Sequence, residues 1–96
     1  MQVLVITRDA PGASWENREG LLRDEALHVW WLQKQNVIRD IWFTEPVRDA
    51  VILMECEGLD GAKAVLDKLP LVSAGLITYT VMGLTAYDGF ERLFER

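Results

Sequence analysis

Apolar positions along the chain fall into blocks with two different periods. Residues 2–8 (QVLVITR) are rich in β-branched side chains and predict a strand. The turn-like Asp9-Ala10-Pro11-Gly12-Ala13 follows. Ser14 then offers a hydroxyl to cap a helix, with Glu16 in its first turn, and the helix is expected to run to about Gln35. Within it Leu22, Ala26, Val29 and Gln33 share one face, flanked by Leu21, Trp30 and Leu32. Asn36 is placed to end it. Residues 37–44 (VIRDIWFT) and 50–56 (AVILMEC) predict two strands joined by a short turn, hence an antiparallel hairpin. After Gly58, Asp60 opens a second helix with Ala62, Val65, Leu66 and Leu69 at helical spacing, and Pro70 stops it. Residues 76–82 (LITYTVM) predict a fourth strand, and residues 88–96 a short terminal helix.

The order is therefore βαββαβ. With right-handed crossovers this is the ferredoxin-like α+β layout, two helices on one face of a four-stranded antiparallel sheet. One domain of residues 1–96 accounts for the whole chain. A sheet with one face in water should alternate apolar and polar residues. These strands do not: Val3 and Val5 are apolar, and so are Leu4 and Ile6 between them. Residues 50–54 are apolar throughout. Both faces then need cover. The simplest cover is a second copy, which gives a homodimeric two-sheet barrel. The apolar Tyr87, Phe90, Leu93 and Phe94 make the tail a further candidate for contact with a partner subunit or a pocket mouth.

Composition narrows the partners. Half of the 96 residues are hydrophobic, and four are tryptophan, which is much apolar surface for a small monomer to hide. The net charge of −5 argues against nucleic acid, whose phosphates call for a basic face. Cys56 is the single cysteine, so no internal disulfide forms and a cytoplasmic setting is expected. The apolar run at residues 2–6 is too short for a signal peptide or a membrane span. Glycine-rich phosphate loops, metal-ligand clusters and nucleophile elbows are absent from the sequence, so neither cofactor nor metal is expected.

Local motifs carry a resemblance. Leu69-Pro70-Leu71 before the last strand and Arg39-Asp40-Ile41-Trp42 in the second resemble the muconolactone isomerase-like family, and Val72-Ser73-Ala74-Gly75 is similar to the related YciI-like family. Both belong to the dimeric α+β barrel superfamily. The resemblance covers nearly the whole chain. It implies a ferredoxin-like protomer, a dimer or larger assembly, and a pocket between sheet and helices. For the namesake enzyme it implies cofactor-free isomerisation of an unsaturated lactone bearing a carboxylate.

Six residues are candidates for a site. Glu25 borders the apolar helix face, where burial raises a carboxylate's pKa and suits it to general-base work; the alternative is a solvated or ion-paired flank. The resemblance implies a glutamate on this helix. Arg39 alternates with Val37, Ile41 and Phe43 and needs an anionic partner. That partner is a substrate carboxylate, or Glu55, Glu25 or a glutamate of the other subunit. An arginine also stands there in the family pattern. His28 is the single histidine, a residue type suited to proton transfer near neutrality, and the YciI-like group carries one on this helix; a structural role is the alternative. Trp30 and Trp42 could wall a pocket for a flat ligand or simply pack a core or interface. Tyr79 could turn its hydroxyl to the same pocket or to a backbone acceptor.

Three functions fit these residues. The first is cofactor-free isomerisation, with Glu25 or His28 moving a proton and Arg39 holding a small-molecule carboxylate. The second is a non-catalytic ligand-binding or oligomerisation module. The third is a cofactor-free monooxygenase, another use of the barrel.

Overall fold

The computed structural model describes residues 1–95; Arg96, part of the expected terminal helix, lies outside them. Strand β1 (Gln2–Asp9) leads to helix α1 (Glu19–Lys34), the hairpin β2 (Ile38–Phe43) and β3 (Ala50–Glu55), helix α2 (Leu59–Leu66), the short α3 (Pro70–Ser73) and strand β4 (Ile77–Leu84). A 3₁₀ turn, Gly89–Leu93, lies in the tail. The strands form one antiparallel sheet in the order β2-β3-β1-β4. This is the expected ferredoxin-like α+β arrangement with one added element, α3.

Three departures from the sequence reading have local causes. Helix α1 starts at Glu19, after Asn17 takes a left-handed φ of 56°. Ser14 is therefore outside the helix; its carbonyl accepts the Arg18 Nε–H at 3.1 Å. Pro70 does not end α2, which stops at Leu66, short of the expected Leu69. It occupies the first turn of α3, where its missing N–H is no loss and its fixed φ is helical. Arg39 does not share the face of Ile41 and Phe43, because Ile38 pairs with Met54 while Asp40 pairs with the adjacent Leu53. Arg39 is the extra residue of a β-bulge, which interrupts the alternation.

Two helix ends have the same construction. Asn36 (φ 62°) donates its N–H to the Gln33 carbonyl, and Val37 donates to Leu32, both at 3.0 Å. Gly75 (φ 74°) and Leu76 repeat this toward Val72 and Leu71. These are Schellman closures, which need a left-handed residue just past the helix. They turn the chain directly from α1 into β2 and from α3 into β4.

The core lies between the sheet and the helices. Val3 and Val5 of β1, Met54 of β3, and Ala62 and Leu66 of α2 are almost wholly buried, with Leu32 of α1 and Leu69 closing the cluster. Tyr79 sits at its edge and donates its hydroxyl to Asp67 Oδ1 at 2.6 Å. Desolvation, helped by the Asp67 hydrogen bond and charge, pushes the Tyr79 phenol up to about 12.

The other face of the sheet is apolar as well. Leu4 pairs with Leu53 and Met82, Ile6 pairs with Val51, and Val51 pairs with Trp42. Leu4, Ile6, Val51 and Leu53 are half-buried, while Trp42 is 52% and Met82 40% exposed. The tail leaves the body of the domain, and the long dimension reaches 63 Å. Tyr87 and Phe90 stack edge to face at 5.0 Å, yet both are largely exposed. Among the described residues, no helix is long and apolar enough to cross a membrane.

Leu66 is 1% exposed at the meeting point of α2 and the sheet. Leu66→Ala is expected to cost about 2–5 kcal/mol through lost burial and the cavity left behind. Urea denaturation measures this, and a loss within the range of surface substitutions would move the core away from α2.

Candidate functional site

The inner face of the sheet is longer than the helices cover. Beyond Val5, strand β1 continues to Thr7 and Asp9, and β2 and β3 bring Ile41, Phe43, Ala50 and Ile52 alongside. Helix α1 bridges this end without filling it. The result is a cavity of about 520 Å³, within the usual size range of small-molecule sites.

The helix wall of the cavity is the stripe seen in the sequence: Leu22, Ala26, Val29 and Gln33, joined by Glu25 and Trp30. Leu22 and Trp30 face the void, which explains why they are 45% and 49% exposed, while Val29 also packs against the core cluster. Leu69 and Leu71 contribute from around α3, and Trp15 stands at the rim. Most of the lining is apolar. The polar groups are few: Glu25, Thr7, Gln33, Asp9, Asp49 and Arg48.

Glu25 is held by a specific contact. Pro70 starts α3 and exposes the Leu71 N–H, which has no carbonyl within the helix to pair with. Glu25 Oε1 accepts it at 3.0 Å. A side chain of α1 thus caps α3 across 46 positions of sequence. Burial in the apolar wall raises the Glu25 carboxyl above its ordinary value of 4.5, against the lowering effects of the Leu71 hydrogen bond and the charge of His28. A carboxyl with a raised pKa lining a ligand-sized void is suited to taking up and returning a proton.

Thr7 is the polar point of the cavity floor. It is 6% exposed, and its Oγ1 accepts the Ala50 N–H at 3.1 Å. The hydroxyl proton is left to donate elsewhere.

The other expected site residues lie apart from this cavity. His28 is on the neighbouring face of α1, in a shallow groove with Asp24, Leu27, Trp31 and Pro70. Arg39 is exposed at its bulge and donates its Nε–H to the Asn36 carbonyl at 2.8 Å. Trp42 lies on the open sheet face, opposite the cavity. Tyr79 is committed to Asp67. The cavity therefore brings together Glu25 and Trp30, and places His28, Arg39, Trp42 and Tyr79 elsewhere.

Thr7, Phe43 and Arg48 line the cavity but were not among the residues expected for a site. Thr7 follows the apolar run at residues 3–6, a position that no motif marks. Arg48 lay in a turn with no periodicity to assign it a direction. Among the described residues, no group of three His, Cys, Asp or Glu could hold a metal ion.

Solved structures share this fold. The chain is similar to a muconolactone isomerase, with 18% identity, a TM-score of 0.76 and coverage of 92% of each chain. It is also similar to the 5-chloro-2-hydroxyhydroquinone dehydrochlorinase of Burkholderia phenoliruptrix AC1100, solved in complex with 2,5-dihydroxybenzoquinone. There the identity is 19%, the TM-score 0.65, and the coverage 93% of this chain and 98% of the other. No family model and no curated protein sequence matches the chain. The chain thus has the muconolactone isomerase-like fold along nearly its whole length.

The capping contact separates two roles of Glu25. Glu25→Ala leaves the Leu71 N–H without its acceptor and is expected to cost about 1–3 kcal/mol. Glu25→Gln keeps an acceptor oxygen and removes the ionisable group, so its stability at neutral pH should equal or exceed that of the parent. The sign follows from linkage. A carboxyl raised in the folded state contributes its full stability below the unfolded value of 4.5 and loses it as pH rises through the raised value. The Gln variant should lack that loss. Urea unfolding across this window checks both points; a Gln variant as weak as the Ala variant would show that charge, not acceptor geometry, holds α3.

Proposed function

We propose that this protein is a cofactor-free isomerase-type enzyme that moves a proton within a small, unsaturated, oxygen-rich ring compound, with Glu25 as the proton carrier. The observation that supports this most is a half-buried carboxylate of raised pKa opening onto a mostly apolar cavity of about 520 Å³. The fold likeness to muconolactone isomerase points to the same chemistry. The dehydrochlorinase bound to 2,5-dihydroxybenzoquinone shows that a structure of similar fold accepts a flat oxygenated ring.

In an unsaturated lactone, a C–H bond conjugated to the carbonyl is the acidic one. The Glu25 carboxylate takes that proton, and the bonding electron pair moves through the double bond to the carbonyl oxygen. In this reading the Thr7 hydroxyl, on the cavity floor, donates a hydrogen bond to the developing oxyanion. The Glu25 carboxylic acid then returns the proton to a different carbon of the conjugated system. No oxidant or second substrate enters the balance.

The second reading is a non-catalytic binding module. What favours it is the Leu71 hydrogen bond, which gives Glu25 a structural reason to be where it is. Incubation with muconolactone in D₂O, followed by proton NMR, separates the two. The parent protein should exchange and shift a proton, and Glu25→Gln should slow this by roughly 10²-fold or more, the usual worth of general acid–base catalysis. The acid limb of kcat/KM against pH should have its midpoint above 4.5. Equal rates for parent and Gln variant, or no exchange by either, would leave only the binding module.

The working unit in this reading is a homodimer or larger homo-oligomer. Two copies joined through the open sheet face would bury Leu4, Ile6, Val51, Leu53, Trp42 and Met82 together. The tail of residues 88–96 would then cover exposed surface on a partner subunit. Light scattering coupled to size exclusion is expected to report at least a dimer, weakened by Trp42→Glu and by removal of residues 88–96. A parent protein that stays monomeric at micromolar concentration would sink the assembly.

A further inference from the structure

We infer that Arg48, at the hairpin end of the cavity, is the anchor for a ligand carboxylate, so that the site selects a monoanion with its charged end at the rim and its unsaturated body toward Glu25. This rests on the reading of the cavity as a substrate site.

Arg48 is locked in place by its turn. Its backbone takes a left-handed φ of 63°, an uncommon conformation for a residue with a side chain. Thr44 holds the turn from both sides. Its carbonyl accepts the Arg48 N–H and its own N–H donates to the Asp49 carbonyl, each at 2.8 Å. Thr44 Oγ1 accepts the Asp49 N–H at 2.9 Å. Over this frame the guanidinium lies against the Phe43 ring, 4.4 Å from its centroid. A stacked guanidinium uses its face and leaves its N–H edge for a planar anion. Among the described residues, no carboxylate lies within 4.0 Å of it. Arg48 and Phe43 both line the cavity that Glu25 lines, and Arg48 is the one cationic side chain among its lining residues.

The acidic neighbours sharpen the selection. Asp9 and Asp49 share the lining with Arg48. A second negative group on the ligand would meet them and be repelled, whereas a single carboxylate on the guanidinium edge is neutralised. Arg39 is outside this geometry.

The test uses matched probes: furan-2-acetic acid and its methyl ester, titrated by tryptophan fluorescence, since Trp15 and Trp30 line the cavity. The parent protein should bind the acid roughly tenfold or more tightly than the ester, the scale of one charge-assisted contact. Arg48→Gln should lose that preference while binding the ester unchanged. Arg48→Lys should recover part of it, and Arg39→Gln should leave both affinities alone. Equal binding of acid and ester by the parent, binding of neither, or loss of preference in the Arg39 variant would each overturn the anchor. Turnover keeps the two ideas distinct. If Arg48→Gln isomerises muconolactone with unchanged KM, the anchor fails and the isomerase reading stands. If the acid binds through Arg48 but the parent moves no proton, the anchor stands and the isomerase reading fails.

Discussion

The central strand β1 carries apolar side chains on both of its faces, and the rest of the fold answers that demand. It is hydrogen-bonded on one edge to β3 and on the other to β4, so it has no free edge, and cover can come only from above and below. Above, Val3 and Val5 are sealed by residues of α1 and α2. Below, Leu4 and Ile6 remain half-buried beside Trp42 and Met82. The same strand creates the site. It runs on to Thr7 and Asp9, and the space left between that end of the sheet and α1 is the cavity.

Glu25 stands at the border between packing and chemistry. Its carboxylate caps α3, a task that favours the ionised form. It does so in an apolar wall, which favours the neutral form, and the desolvation is the larger effect. One side chain therefore links the first helix to the Leu69-Pro70-Leu71 segment and faces the void between them. Pro70 is the reason this happens here. By starting α3 it leaves the Leu71 N–H in need of an acceptor from outside the helix.

Much of the fold was legible because its signals are local. Apolar runs rich in β-branched residues, bounded by turn residues, marked all four strands to within a residue or two. The helical stripe through Leu22, Ala26, Val29 and Gln33 was also correctly read as one face. What the stripe faced was not legible, since a core wall and a cavity wall use the same residues. Arg39 shows the same limit from the other side. Period-two counting assigned it to the face of Ile41 and Phe43, and one extra residue in the β2–β3 register removed it. Arg48 had no pattern at all, because its direction depends on a left-handed turn held by Thr44.

The sequence by itself determined the order of elements, the two-sided apolar character of the sheet and the presence of an acid beside an apolar helix face. These follow from periodicity and from the chemistry of residues close together in the chain. Only the tertiary structure decided which charged groups meet. Glu25 and Arg48 line one cavity, although they come from a helix and a hairpin turn with a strand between them. His28, one helical turn from Glu25, faces another groove. The physical reason is that helix rotation, strand register and turn conformation each change where a side chain points without altering the hydrophobic pattern that specifies the element.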